Sequence, residues 1–301
     1  MKTLKTLLIA AMLAIAAPVQ AALGVFTCEP EWDALVRELA GSRASVFVAT
    51  TALQDVHRIQ ARPSLIARAR TADLLVCTGA DLEVGWLPMV LSQSGNDKVQ
   101  QGKPGNLMVA DFVPKIEVPV VIDRALGDVH PQGNPHIQFG PRQIRLAAEE
   151  ITRRLIRIDP AGAAEYQSRL EAFTNRWTTA TERWTTMGAP LRGVGVIQHH
   201  KNFSYLFEFL GMKEVGALEP KPGVEPTSQH LGDLISNQKS QPARLIVRSS
   251  YHSPAASEWL SERLSMPAIM LPATVGGTDA ARDLFGLYDD AIQRMLDALK
   301  N

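Results

Sequence analysis

Short runs rich in Val, Ile and Leu alternate with longer stretches of helical spacing twice along this chain, and one long amphipathic segment separates the two series. The first series predicts strands over 24–28, 45–50, 74–78, 107–110 and 118–122, with helices over 30–40, 63–70 and 82–92 between them. After Arg192 the pattern resumes, with strands over 193–197, 214–217, 245–249 and 268–271 and helices over 203–210, 228–237, 255–264 and 280–299. Strands that alternate with helices pair in parallel, because only a covering helix can carry the chain back to the same sheet edge. The fold class expected is therefore α/β, in two parallel-sheet lobes.

The segment between the lobes is as informative as the lobes. Ala163, Tyr166, Leu170, Phe173, Trp177, Ala180, Trp184 and Met187 recur at alternating intervals of three and four, and Gly188 and Pro190 end the run. That spacing draws one apolar stripe along a helix about 40 Å long at ~1.5 Å per residue. A homo-oligomeric coiled coil gives the same spacing. Trp177 and Trp184 are bulky for such a seam, which favours packing on the chain's own lobes. One long rigid linker helix would resist the wide hinge motion that flexible crossovers allow. The expected divisions are a leader at 1–21, an N-terminal lobe at 22–142, a helical region at 143–190 and a C-terminal lobe at 191–301.

The first residues bear on the compartment. Lys2 and Lys5 precede an apolar run over 7–17, followed by Pro18-Val19-Gln20-Ala21. A basic start, a short apolar stretch and small residues at the cleavage offsets describe a signal peptide cut after Ala21. The run is shorter than the ~20 residues a membrane span needs. The whole chain has 31 basic and 31 acidic residues, and without the leader the balance is −2. That balance argues against nucleic acid as a partner. Two Cys are too few for a disulfide-dense scaffold or a four-Cys zinc site. Export permits a disulfide between Cys28 and Cys77, both at predicted strand ends. Two separate buried thiols are the alternative.

Catalytic signatures are missing. There is no His-Glu-x-x-His, no Gly-x-Ser-x-Gly and no phosphate-binding loop, and Gly193-Val194-Gly195 lacks the later glycine of a dinucleotide turn. No enzyme is expected, with no catalytic residue and no bound organic cofactor. The histidines are better placed. His57 follows a strand end, His136 lies in a turn-rich segment before a helix, and His199 and His200 follow the first strand of the second lobe. Ligands of open α/β sheets bind beyond the carboxyl ends of the strands, so these imidazoles can converge on the interlobe cleft. Asp279, at the end of the loop Leu271-Pro272-Ala273-Thr274-Val275-Gly276-Gly277-Thr278-Asp279, is the candidate carboxylate. The alternative for Thr278 or Asp279 is a helix cap. His130 is a further candidate, whereas His230 and His252 are expected to be non-ligands.

Several stretches in register then resemble one family. Gln54-Asp55-Val56-His57, Ala61-Arg62-Pro63-Ser64, Asp81-Leu82-Glu83-Val84-Gly85-Trp86, Gly133-Asn134-Pro135-His136, His200-Lys201-Asn202-Phe203-Ser204-Tyr205, Glu225-Pro226-Thr227-Ser228 and Val275-Gly276-Gly277 follow the order seen in metal-binding solute-binding proteins of ABC importers. The resemblance spans essentially the whole chain after the leader. It implies two lobes of similar topology, a rigid linking helix and one metal ion in the cleft. Carried over position by position, its ligands are His57, His136 and His200, with Asp279 in the fourth place. His199 falls outside the motif. Arg62, Glu83 and Trp86 match family positions as packing or supporting residues. Asp55-Val56 stands where an Asp-Pro is usual, and the loop before His136 is short, with His130 its one histidine.

Three imidazoles and one carboxylate suit Zn²⁺, whereas manganese prefers more oxygen. The resemblance implies a periplasmic carrier that delivers Zn²⁺ to a cognate ABC permease; a zinc metallochaperone is a candidate partner, and a stripe packed within the chain leads to the expectation of a monomer. A metal-binding adhesin or buffer, a manganese carrier and a secreted zinc hydrolase are the competing readings. Gly276-Gly277 suggests that the loop bearing Asp279 acts as a release gate.

Overall fold

A computed structural model describes residues 22–120, 127 and 130–300. The leader expected at 1–21 lies outside the described residues.

The N-terminal lobe is a four-stranded parallel sheet, β1 (Leu23–Thr27), β2 (Ala44–Val48), β3 (Leu74–Cys77) and β4 (Asn106–Met108), in the order β2-β1-β3-β4. The second lobe repeats that topology with β5 (Gly195–Gln198), β6 (Lys213–Ala217), β7 (Leu245–Ser249) and β8 (Ala268–Leu271), ordered β6-β5-β7-β8. The strands of both sheets pair in parallel, as the alternation requires. Helices α1 (Pro30–Ala40), α2 (Pro63–Arg70) and α3 (Leu87–Ser94) cover the first sheet, and each begins with Pro in its first turn, where the missing N–H costs nothing.

Helices α4 (Pro141–Ile158) and α5 (Ala163–Met187) form the connection between lobes. Along α5 the striped residues Tyr166, Phe173, Trp177, Ala180 and Trp184 are buried. Trp177 donates its indole N–H to the Pro141 carbonyl at 2.9 Å. Trp184 stacks on Tyr288 with ring centroids 4.4 Å apart and donates to Asp289 at 2.6 Å. Tyr288 and Asp289 belong to α9 (Leu284–Ala298), which follows α6 (Ser204–Leu210), α7 (Ser228–Asn237) and α8 (Ala255–Leu264). The stripe is therefore consumed within the chain, through α4 on one side and α9 on the other.

Two elements depart from expectation. No strand forms over 118–120, where Val118 and Val120 stand exposed beside Pro119; residues 121–122 lie outside the described residues. A β-branched pair that meets no partner strand has nothing to pair with, and Pro119 supplies no donor. Helix α3 starts at Leu87 rather than at residue 82. Ala80 and Asp81 adopt positive φ values of 50° and 64°, which keep residues 79–86 in turns. Likewise α9 begins at Leu284, its N–H at Gly286 capped by Asp283 at 2.8 Å, rather than at residue 280.

Cys28 and Cys77 form a disulfide with Cα atoms 4.8 Å apart. The reason is register: β1 pairs Thr27 with Val76, so the next residues along each parallel strand stand side by side.

Candidate metal centre

The carboxyl ends of both sheets face one another, and three histidines meet there. Ring centroids of His57, His136 and His200 lie 5.2–5.6 Å apart, and one ligand nitrogen from each falls within 4.8 Å of the others. His136 and His200 are buried, and His57 is mostly so.

Each ring is held by its own surroundings. His57 sits in a 3₁₀ turn, Val56–Arg58, whose N-cap Asp55 accepts the His57 backbone N–H at 3.0 Å and its Nδ1 at 2.8 Å. Burial alone would raise the Asp55 carboxyl, but hydrogen bonds and charge from His57 outweigh it and hold the group below its usual range. Trp86 donates its indole N–H to the Val56 carbonyl at 3.0 Å, which fastens the same turn from behind. Glu83 accepts N–H bonds from Thr78 at 2.7 Å and Gly79 at 3.0 Å and so fixes the loop that carries Trp86. The supporting roles expected of Glu83 and Trp86 take this form, whereas Arg62 is the exposed residue preceding α2.

His200 follows β5 and passes its Nδ1 to Glu219 Oε2 at 2.7 Å. The β5–β6 register pairs Gln198 with Ala217, so continuing two residues on each strand brings His200 beside Glu219. His136 is positioned by Asn134, whose side-chain oxygen takes the His136 N–H at 2.9 Å and whose amide donates to the Lys201 carbonyl at 2.9 Å.

These bonds decide which nitrogen faces the centre. A neutral imidazole that donates Nδ1–H to an acceptor presents a bare lone pair at Nε2, and the tautomer follows from the hydrogen-bond partners. In His57 and His200 Nδ1 faces a carboxylate, so both turn Nε2 inward. His136 Nε2 approaches His200 Nε2 to 3.2 Å. Tetrahedral ligands held ~2.05 Å from zinc stand roughly 3.3 Å apart, so this spacing already fits a shared cation. Burial, reinforced by the neighbouring His200, His57 and His130, pushes His136 well below its ordinary pKa. A buried imidazole kept neutral is ready to ligate.

His130 approaches His57 from the N-terminal lobe. Its Nδ1 donates to the Ala80 carbonyl at 3.0 Å and its Nε2 lies 3.3 Å from His57 Nε2. Burial lowers its pKa to about 4. Asp279 is placed differently. It is exposed, and its backbone carbonyl accepts from Arg282 at 2.8 Å. The loop closes on itself, with Gly276 N–H on the Ala281 carbonyl at 2.7 Å and the Thr278 hydroxyl on Asp290 at 2.6 Å. Those bonds turn Asp279 outward, so the structure does not bring it to the three imidazoles. Sequence reasoning also passed over Asp55 and Glu219 as partners of the ligands. Asp55 had a visible signal, lying two residues before His57; Glu219 had one only through the strand register.

Comparison with known proteins places this arrangement. A family model described as "Zinc-uptake complex component A periplasmic", ZnuA, matches residues 25–301. The chain is 21% identical over 221 residues to the high-affinity zinc uptake system protein ZnuA of Yersinia pestis, covering 66% of each chain. It is 25% identical over 211 residues to the iron-binding protein YfeA of the same organism, covering 68% of this chain and 63% of that one. It thus spans about two thirds of the length of these relatives. Among solved structures, a zinc-bound ZnuA carrying a 138–173 deletion superposes with a TM-score of 0.76 at 20% identity, covering 92% of this chain and 98% of the other. A manganese-bound periplasmic metal-binding protein from Candidatus Liberibacter asiaticus gives 0.73 at 17% identity, covering 91% and 98%. Those likenesses speak for the two-lobe α/β fold. With the family match running through nearly the whole described chain, the protein belongs to the ZnuA family of metal-binding periplasmic solute-binding proteins of ABC importers.

Proposed function

We propose that this chain is exported by residues 1–21, captures Zn²⁺ between its lobes and hands it to a cognate ABC permease. The observation that carries the reading is the convergence of imidazole Nε2 atoms whose Nδ1 atoms are already committed to Asp55 and Glu219. The proposed ligands are His57, His136 and His200. His130, whose Nε2 lies 3.3 Å from His57 Nε2, is the proposed fourth donor in place of Asp279.

A nitrogen-rich, four-donor set suits zinc over manganese, which favours oxygen. The relatives named for iron or bound to manganese make those ions the alternatives to test. Filling all four positions with protein leaves no place for a substrate, which supports carriage rather than catalysis. Burial of the α5 stripe inside the chain supports a monomer. Zinc uptake by cells deleted for the protein, complemented with wild type or with His200→Ala, tests the assignment. Rescue by wild type alone under zinc limitation is expected, and equal rescue by both overturns it.

A further inference from the structure

A second cluster of ligating groups lies outside the three-histidine centre. His199, immediately before His200, continues β5: its N–H bonds the Val247 carbonyl at 2.8 Å, and its carbonyl accepts from the Glu219 N–H at 3.1 Å. His199 and His200 both follow the last residue of β5 and border one cavity, His200 grouping with His57 and His136 and His199 with Glu219 and His252. His252 lies in the loop after β7 and stacks on His199, with ring centroids 4.0 Å apart and planes 11° from parallel. One ligand atom each of His199, Glu219 and His252 falls within 4.8 Å of the other two.

Packing alone does not account for this pair. His199 is only 5% exposed, and Nδ1 of both His199 and His252 is buried without a hydrogen-bond partner. A buried polar atom left unpaired costs about 1–3 kcal/mol, and two in facing rings beside a carboxylate is more than a core needs. Glu219 uses Oε2 for both His200 Nδ1 and the Gly223 N–H, and neither bond engages Oε1. The three groups border a cavity of about 200 Å³ that adjoins the centre through His57 and His200; its wall also carries Asp55, Glu225 and Arg58, so with Glu219 three carboxylates face one guanidinium and the balance favours a cation.

We propose that His199, Glu219 and His252 form a second site for a borderline divalent cation, with Zn²⁺ as the probe, sharing Glu219 with the three-histidine centre. Two imidazoles and one carboxylate are a nitrogen- and oxygen-donor set of the kind zinc takes. Closing on an ion requires the cofacial rings to tilt toward each other, and His252, in the loop after β7, is the ring proposed to move. Because one carboxylate orients His200 and ligates the second ion, occupancy of either site changes affinity at the other by the same factor. The site does not depend on the zinc-carrier reading, since its ligands His199 and His252 are distinct from that centre's.

The test is metal stoichiometry of the untagged, metal-free protein with Zn²⁺ by native mass spectrometry and equilibrium dialysis. Wild type is expected to bind two equivalents. His252→Gln and His199→Gln are each expected to bind one and to weaken the second by about tenfold or more. His252→Gln, on the loop, guards against a folding defect at the buried His199. The double variant His57→Ala/His136→Ala is expected to keep one equivalent, lost on adding His252→Gln, and that result upholds the second site even where the carrier reading fails. One equivalent or none in wild type, or a second equivalent indifferent to His199 and His252, overturns the proposal.

Discussion

Asp55 and Glu219 each hold one imidazole by its far nitrogen, and that is where the tuning of the centre resides. Replacing the carboxylate by an amide keeps the shape and removes the charge, so Asp55→Asn and Glu219→Gln are expected to weaken zinc binding about 10–100-fold with the fold intact. Competition titration with a chromophoric chelator reads the change, and unchanged affinity in both variants would contradict the expectation. A second residue-scale consequence concerns pH. Burial, chiefly, raises Glu31 and Glu83 to about 7 and pushes Glu29 well above its ordinary value, the last aided by the nearby charge of Glu83. These carboxyls bind a proton more tightly folded than unfolded, so their contribution is present below pH 4.5, their ordinary value, and is lost as pH rises through about 7. The buried histidines act with the opposite sign: with His130 near 4, stability of the metal-free protein is lost as pH falls from 6.5 toward that value. Removing one carboxyl isolates the first effect. Glu29→Gln should lose less stability than wild type between pH 4.5 and 7 in denaturant titrations, and parallel curves would refute this.

At the scale of elements, the turn bearing His57 depends on a residue thirty positions away. Trp86→Phe removes the N–H that Val56 accepts, a bond worth about 1 kcal/mol, and frees the turn. Zinc affinity is expected to fall about tenfold, more than the modest loss in melting temperature accounts for. Much of this level was readable in advance. His200 just after a strand, His57 in the loop beyond one and His136 in the turn-rich segment before a helix point to the cleft because ligands of such sheets bind at their carboxyl ends, and the Cys28–Cys77 pair fits predicted strand ends that prove adjacent. What sequence could not show is closure. The loop 275–281 has the glycines of a mobile segment, yet its own hydrogen bonds turn Asp279 to solvent. Nor does proline-flanked Val118-Pro119-Val120 announce that no neighbouring strand awaits it. Glu219, nineteen residues beyond His200, becomes its partner only once β5 and β6 are in register.

Across the whole molecule, α5 ties the two lobes together through rings on one face. Trp184 lies between α5 and α9, stacked on Tyr288 and bonded to Asp289. Trp184→Ala is expected to cost roughly 3–5 kcal/mol, measured by denaturant unfolding. Direct interlobe bonds add to this tie, with the Ser250 hydroxyl on the Ala52 carbonyl at 2.8 Å and the Gln138 amide on the Ala273 carbonyl at 3.1 Å. The lobes are expected to stay at one separation when metal binds, with superimposable small-angle scattering profiles for metal-free and loaded protein. The most direct test of the central claim is competition titration of metal-free protein with Zn²⁺ and Mn²⁺, repeated for His200→Ala and Asp279→Ala. A tight zinc equivalent is expected that outcompetes manganese, is lost in His200→Ala and survives in Asp279→Ala. Preference for manganese, or a tight site that needs Asp279 and ignores His200, would contradict the claim.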